Sequence, residues 1–174
     1  AEQRQDFEIV YLKPSRSFPD QSRIADIRDP AALDAAVTGE LIINLAAVHR
    51  DDVRDISQYY STNVDGTRHI CLLAAGRGID TIIFTSTVAV YGFAPPNTGE
   101  DAHTDPFNHY GKSKLQGEAV LAEWHANAPI ARNLVIIRPT VVFGEGNRGN
   151  VYNLLNQIAR GRFVMVGDGE NCKS

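Results

Sequence analysis

A chain of 174 residues with 43% hydrophobic and 22% charged side chains reads as a single soluble globular domain, long enough to bury a sizeable core. A net charge of -4, with no basic run and no aromatic-basic interleaving, argues against nucleic acid as a partner. Cys71 and Cys172 make no metal pattern and fit a reducing cytoplasm, no metal site is expected, no apolar run is long enough to cross a bilayer, and the N-terminus does not read as a signal peptide.

In chain order, strands alternate with helices. Phe7–Leu12 is rich in strand formers and closed by Lys13-Pro14, and Pro14–Ser22 reads as loop. Ile24–Ile27 has the composition of a short strand. Asp29 and Pro30 then read as N-cap and first residue of a helix, with Ala31–Val37 behind them and Gly39 ending it. Leu41–Leu45 is a continuous apolar run of the kind shown by a parallel strand covered on both faces. Asp51–Ala75 carries Ile56, Tyr59, Tyr60, Val64, Ile70 and Leu73 near helical spacing, and stops at Gly76 with Gly78 just beyond. Thr81–Phe84 is a strand running into Thr85-Ser86-Thr87. Gly92–Pro106, with three prolines and two glycines, is loop. A long helix is expected over Asn108–Ala126 and a strand over Leu134–Ile137, ended by Arg138-Pro139. Gly144–Asn150 is loop, Val151–Arg160 helical, and Phe163–Val166 a candidate last strand before Gly167-Asp-Gly169.

This alternation argues for an α/β fold, a parallel sheet with helices on both faces. Such sheets bind ligands beyond the carboxyl ends of their strands. Polar groups fall at three such ends: Asn44 to Ala47, Ser86 and Thr87, and Arg138 to Thr140. Tyr110 and Lys114 are four residues apart on the long helix, so they share a face about 6 Å apart along the axis. An ammonium beside a phenol favours phenolate, which makes Tyr110 a candidate general base, with Thr87 or Ser86 placed to hold the oxygen it works on.

Six segments together resemble the extended short-chain dehydrogenase/reductase superfamily, in its NAD-dependent nucleotide-sugar epimerase and dehydratase branch, which includes UDP-glucose/UDP-galactose 4-epimerases. They are Asp26-Ile27, Asn44 to Ala47, Tyr60 to Thr67, Ser86-Thr87 with Val90-Tyr91-Gly92, Pro106 to Lys114, and Arg138 to Gly144. The resemblance implies a Rossmann-like fold and assigns roles. Tyr110 is the catalytic base. Lys114 holds the nicotinamide ribose and lowers the tyrosine pKa, and Thr87 shares the substrate oxygen. Asp26 and Ile27 flank the adenine, Leu45, Ala46 and Ala47 underlie the cofactor, and Ser86, Asn63, Pro139 and Thr140 line or approach the nicotinamide. Substrate contacts are implied for Thr87 and Asn108. Arg148 and Asn150 either face a nucleotide diphosphate or belong to a solvated loop. The implied chemistry is 4-epimerisation of a UDP- or dTDP-hexose through a 4-keto sugar, in a cytoplasmic homodimer paired through the two long helices. Tyr59, Tyr60 and Trp124 belong either to the core or to that pairing.

Departures from the family pattern shape the expectations. The first strand and its glycine-rich phosphate loop are lacking, and Phe7–Leu12 matches the family's second strand, so the chain reads as an internal fragment with weak cofactor affinity. Residues 1–145 are then the truncated NAD-binding part and 146–174 the start of the substrate-binding part. Lys13 stands where NAD users place an acid, which leaves NADP as the lesser alternative to NAD. Val88-Ala89 replaces the acid pair that follows the threonine in 4,6-dehydratases. A reductase or dehydratase of the same scaffold, and a fold retained without activity, are the other readings. The five histidines show no ligand spacing, and Cys71 reads as a small core residue.

Overall fold

The computed structural model describes residues 20, 22–50, 53–147, 149–165 and 167. The strand expected at Phe7–Leu12, together with Lys13, Arg148 and Cys172, lies outside them.

Capping chemistry places the first helix. The Asp29 carboxylate accepts from the amides of Ala31 and Ala32 at 3.0 and 3.1 Å, and Pro30 opens α1, Pro30–Ala36. The helix stops where Val37 turns extended, two residues before Gly39. The short strand expected at Ile24–Ile27 does not form. Asp26 accepts from the Arg28 amide through its side chain and from the Asp29 amide through its carbonyl, both at 2.9 Å, and the chain turns at Ile27–Arg28. Local Asx hydrogen bonding wins there over β-rich composition.

β1, Leu41–Asn44, leads into a helical run that begins at Ser57, with 53–56 non-helical and the expected start at Asp51 outside the described residues. It is α2, Ser57–Tyr60, then a π-helical segment, Ser61–Asp65, then α3, Gly66–Arg77. Gly76 lies inside α3. The cap is Gly78, left-handed at φ 67°, and the Ile79 amide reaches back to the Ala74 carbonyl at 2.9 Å. β2, Thr81–Thr85, is followed by a 3-10 turn, Val88–Tyr91, and the loop to Pro106. The Asn108 side chain accepts from the Gly111 amide at 2.8 Å and starts α4, His109–Ala126. β3, Asn133–Ile137, and α5, Asn150–Ala159, complete the regular elements. Of the last strand, expected at Phe163–Val166, the described part does not form: Phe163–Met165 are exposed and irregular, with no described strand beside them to pair with, and Val166 lies outside the described residues.

The sheet is parallel in the order β1-β2-β3, with Ile42, Ile82 and Leu134 in one register row and Asn44, Phe84 and Ile136 in another. Its inward residues Ile42, Ile82 and Phe84 pack under Leu33 of α1, Ile70 and Ala74 of α3, and Leu121 and Trp124 of α4. Cys71, Tyr59 and Trp124 are core residues. Burial pushes the Cys71 thiol up to about 12, which keeps it an inert thiol. The described helices cover this one face; on the other, Leu41, Ile43, Val135 and Ile137 are exposed. Helix α4 seats closely because Gly117 has no side chain: a Cβ there would lie 2.8 Å from the Asn63 carbonyl and 3.2 Å from the Phe84 ring. No helix among the described residues is long and apolar enough to cross a membrane.

Candidate active site

Parallel topology brings the carboxyl ends of all three strands to one edge, and α4 starts there. The ladder between β2 and β3 runs on past the strands: the Ser86 amide donates to the Ile137 carbonyl at 2.7 Å and the Val88 amide to the Pro139 carbonyl at 3.3 Å. Thr87 is therefore bracketed by two pinned residues. Its hydroxyl oxygen accepts from the Ala89 amide at 3.2 Å and caps the 3-10 turn. That bond uses a lone pair and leaves the hydroxyl hydrogen to donate elsewhere. The first turn of α4 lies against the same turn, since a Cβ on Gly111 would sit 2.7 Å from the Ala89 carbonyl. Tyr110 precedes Gly111, half-buried, at this junction.

Lys114, one helical turn further, is 1% exposed. Its ammonium lies 3.9 Å from the centroid of the Phe84 ring, and Nζ has no hydrogen-bond partner among the described residues. Burial pulls its pKa down to about 8, against the opposing pull of the Glu118 charge. A buried ammonium left without an acceptor is costly, so this position fits a ligand that brings acceptors, as the ribose hydroxyls of a nicotinamide cofactor do.

A buried polar chain supports this corner. The Asn63 side chain accepts from the Val48 amide at 2.9 Å and donates to the Val48 carbonyl and to Ser113 Oγ at 3.0 and 2.9 Å. Ser113 Oγ in turn donates to the Tyr110 carbonyl at 2.9 Å. Thr67 donates to the Asn63 carbonyl at 2.8 Å, and Asn44 reaches Thr67 at 3.5 Å. Asn63 thus fastens the segment after β1 to the start of α4, with its amide committed to protein partners. Leu45 and Ala46 are exposed just beyond β1, and Ala47 is half-buried.

The remaining sequence candidates divide. Ile27 packs against Gly66 at the start of α3, and its carbonyl meets His69 Nδ1 at 3.0 Å. Beside it Asp26 forms a forked ion pair with Arg28, which holds its carboxyl down to about 2. Pro139 joins the site edge through its carbonyl, with Thr140 exposed after it. Asn108 is committed as the N-cap of α4. Asn150 opens α5, which carries no buried residue. His109 contacts the rings of Tyr59 and Tyr60, its Nδ1 lying 3.0 Å from the Tyr60 hydroxyl. A depression of about 360 Å3 beside the edge is lined by Tyr91, Phe93, Pro95, Thr98, His103 and Phe107, among others; Thr87, Tyr110 and Lys114 do not line it.

Sequence reasoning missed Glu118 and the side-chain role of Arg138. Glu118, 5% exposed, accepts from Ser86 Oγ and takes a fork from Arg138, Nε to Oε1 at 3.0 Å and Nη2 to Oε2 at 2.6 Å. The signal was present: Tyr110, Lys114 and Glu118 repeat every four residues on one helix face, and a carboxylate on that face needs a buried partner.

Comparison with known proteins adds to this geometry. Residues 3–173 match the family described as "NAD dependent epimerase/dehydratase family". The N-acetyl-alpha-D-glucosaminyl-diphospho-ditrans,octacis-undecaprenol 4-epimerase of Escherichia coli O157:H7 is 55% identical over 97% of this chain and 52% of its own length. UDP-glucuronic acid 4-epimerase from Bacillus cereus in complex with NAD superposes with a TM-score of 0.71 at 26% identity, over 86% of this chain and 49% of that one. UDP-glucose 4-epimerase from Brucella ovis in complex with NAD gives 0.63 at 27% identity, over 71% and 40%. The chain thus spans about half the length of these relatives.

Proposed function

Since this chain belongs to the NAD-dependent epimerase/dehydratase family, we propose that it carries the catalytic residues of a 4-epimerase acting on a hexose linked through a diphosphate. Tyr110 takes the proton of the sugar 4-hydroxyl as that carbon is oxidised and returns it when the carbon is reduced from the other face. Thr87 donates its free hydroxyl hydrogen to the same oxygen, steadying the charge that grows there. Lys114 donates to the ribose hydroxyls, and its positive charge favours the phenolate of Tyr110. The chemistry that NAD supplies when bound is the removal of hydride from C4 and its return.

The observation that carries this reading is the buried ammonium of Lys114, without an acceptor among the described residues, one turn from Tyr110 on the helix that abuts the turn capped by Thr87. For the substrate, 55% identity to an enzyme named for a polyprenyl-diphosphate N-acetylglucosamine favours a lipid-linked N-acetylhexosamine. A UDP-hexose is the second reading, favoured by the UDP-sugar epimerases among the structural neighbours. NAD is the preferred cofactor, because those neighbours hold it. Residues 1–145 would form the cofactor half and residues 146–174 the start of the substrate part, in a cytoplasmic homodimer joined through the α2–α3 run and α4.

The test is product analysis. The protein carrying this chain is incubated with NAD and either N-acetylglucosaminyl-diphospho-polyprenol or UDP-N-acetylglucosamine, and the released sugar is identified. A C4 epimer from the lipid-linked substrate is expected. An epimer from the nucleotide sugar alone selects the second reading, and a reduced sugar with cofactor consumption would overturn both.

A further inference from the structure

We propose that Glu118 is a positioning residue of this site, holding the ends of β2 and β3 and the turn after Thr87 in one arrangement; the role rests on the 4-epimerase reading above. The carboxylate sits inside α4 and is gripped from two sides, by Ser86 of the segment after β2 and by Arg138 of the segment after β3. Arg138 carries the connection further. Its Nη1 donates to the Tyr91 hydroxyl at 2.5 Å and to the Glu100 carbonyl at 3.0 Å, and its guanidinium lies 5.0 Å from the centre of the Tyr91 ring. The Tyr91 hydroxyl donates to the same Glu100 carbonyl at 3.0 Å.

Two side chains, Glu118 and Arg138, thereby tie together the helix bearing Tyr110 and Lys114, both strand ends, the 3-10 turn and the loop that follows. Ser86 stands immediately before Thr87 and Tyr91 closes the turn that Thr87 caps, so Thr87 sits between two residues that this network fixes. An ion pair kept only for stability would be a poor choice here, because buried pairs are commonly no more stabilising than apolar side chains of the same size. What the pair provides is direction. A forked guanidinium–carboxylate contact fixes angles as well as distances, and a shift of about 1 Å at a reacting group can cost on the order of a hundredfold in rate.

The experiment compares Glu118→Gln with Leu121→Ala, a core truncation on the same helix, in the protein carrying this chain. The kcat and KM for the sugar substrate are measured at a temperature where circular dichroism shows both variants folded. For Glu118→Gln the expected result is a kcat reduced by about tenfold or more with KM changed less than about threefold, against a kcat for Leu121→Ala within about twofold of the parent. Equal losses in the two variants, or an unchanged kcat for Glu118→Gln, would overturn the proposal. Should Glu118→Gln fail to fold, Tyr91→Phe removes one hydroxyl from the same network; a lowered kcat supports the role and an unchanged one overturns it. If the parent turns over no sugar diphosphate, the 4-epimerase reading fails by itself. Glu118 is then read from amide exchange at Ser86 and Val88, where faster exchange in Glu118→Gln than in Leu121→Ala supports positioning and equal exchange overturns it.

Discussion

Helices α4 and α5 invert the usual relation between pattern and packing. Helix α5 carries the orthodox apolar stripe, Val151, Leu154, Leu155 and Ile158 at spacings of three and four, yet none of its residues is buried. Helix α4 has no such clean stripe and is the more deeply seated, with Ser113, Lys114 and Glu118 buried beside Leu121 and Trp124. Burying an ammonium and a carboxylate costs stability that an all-apolar face would not, and the catalytic role proposed for α4 accounts for that cost. A stripe of apolar residues says that a helix has a face to cover. A face of buried polar residues says where to look for chemistry.

The largest effect on this contrast between the two helices is expected at the hydrogen-bonded corner beside α4. Asn63→Ala removes the partners of the Val48 amide and carbonyl and of Ser113, and is expected to lower stability by about 2–4 kcal/mol in a denaturant titration. Next is the close approach of α4 to the π-helical segment. Gly117→Ala would place a Cβ 2.8 Å from the Asn63 carbonyl, with an expected loss of about 1–3 kcal/mol by the same measurement.

Lys114→Met should act in the opposite direction on the fold while damaging the site. It removes a buried charge, so stability at pH 7 should rise, by up to about 3 kcal/mol in a denaturant titration, while NAD binding by the protein carrying this chain, followed by calorimetry, should be lost. The pH dependence follows from the same group. Lys114 gives up its proton near 8 in the folded chain against an ordinary value of 10.5, so between those values the unfolded chain holds more protons. This contribution makes stability rise with pH across that window. Below it the cost of the buried ammonium is present in full; above it the cost is relieved. The rise should be missing from Lys114→Met. The smallest effect belongs to α5, where Leu155→Ser, at a residue 59% exposed, should change stability by no more than about 0.5 kcal/mol.

What could be read in advance followed local chemistry. Asp29-Pro30 placed a helix start because a cap is made by residues next to one another in the chain, and the start of α4 and the three described strands were found to within a residue from short apolar or periodic runs. Ile24–Ile27 and Phe163–Val166 misled because composition names a residue's preference and not its partner. Gly76 and Gly78 could not be told apart without the backbone, since only the second takes the left-handed conformation that ends α3. The π-helical turn that aims Asn63 at Val48 leaves no pattern in composition. At the candidate site, Tyr110, Lys114 and Thr87 were named together from spacing and resemblance, whereas the Glu118–Arg138 pair, 20 residues apart on different elements, became visible only once the strand ends were side by side.

In the proposed mechanism the phenol of Tyr110 moves the proton at the carboxyl edge of this sheet. This role is tested most directly by Tyr110→Phe in the protein carrying this chain, with C4 epimerisation of the lipid-linked sugar and NAD affinity measured side by side. A fall in turnover of about a hundredfold to ten-thousandfold, with NAD affinity within about threefold of the parent, is the predicted result. Turnover undiminished by the loss of that one hydroxyl would contradict the account.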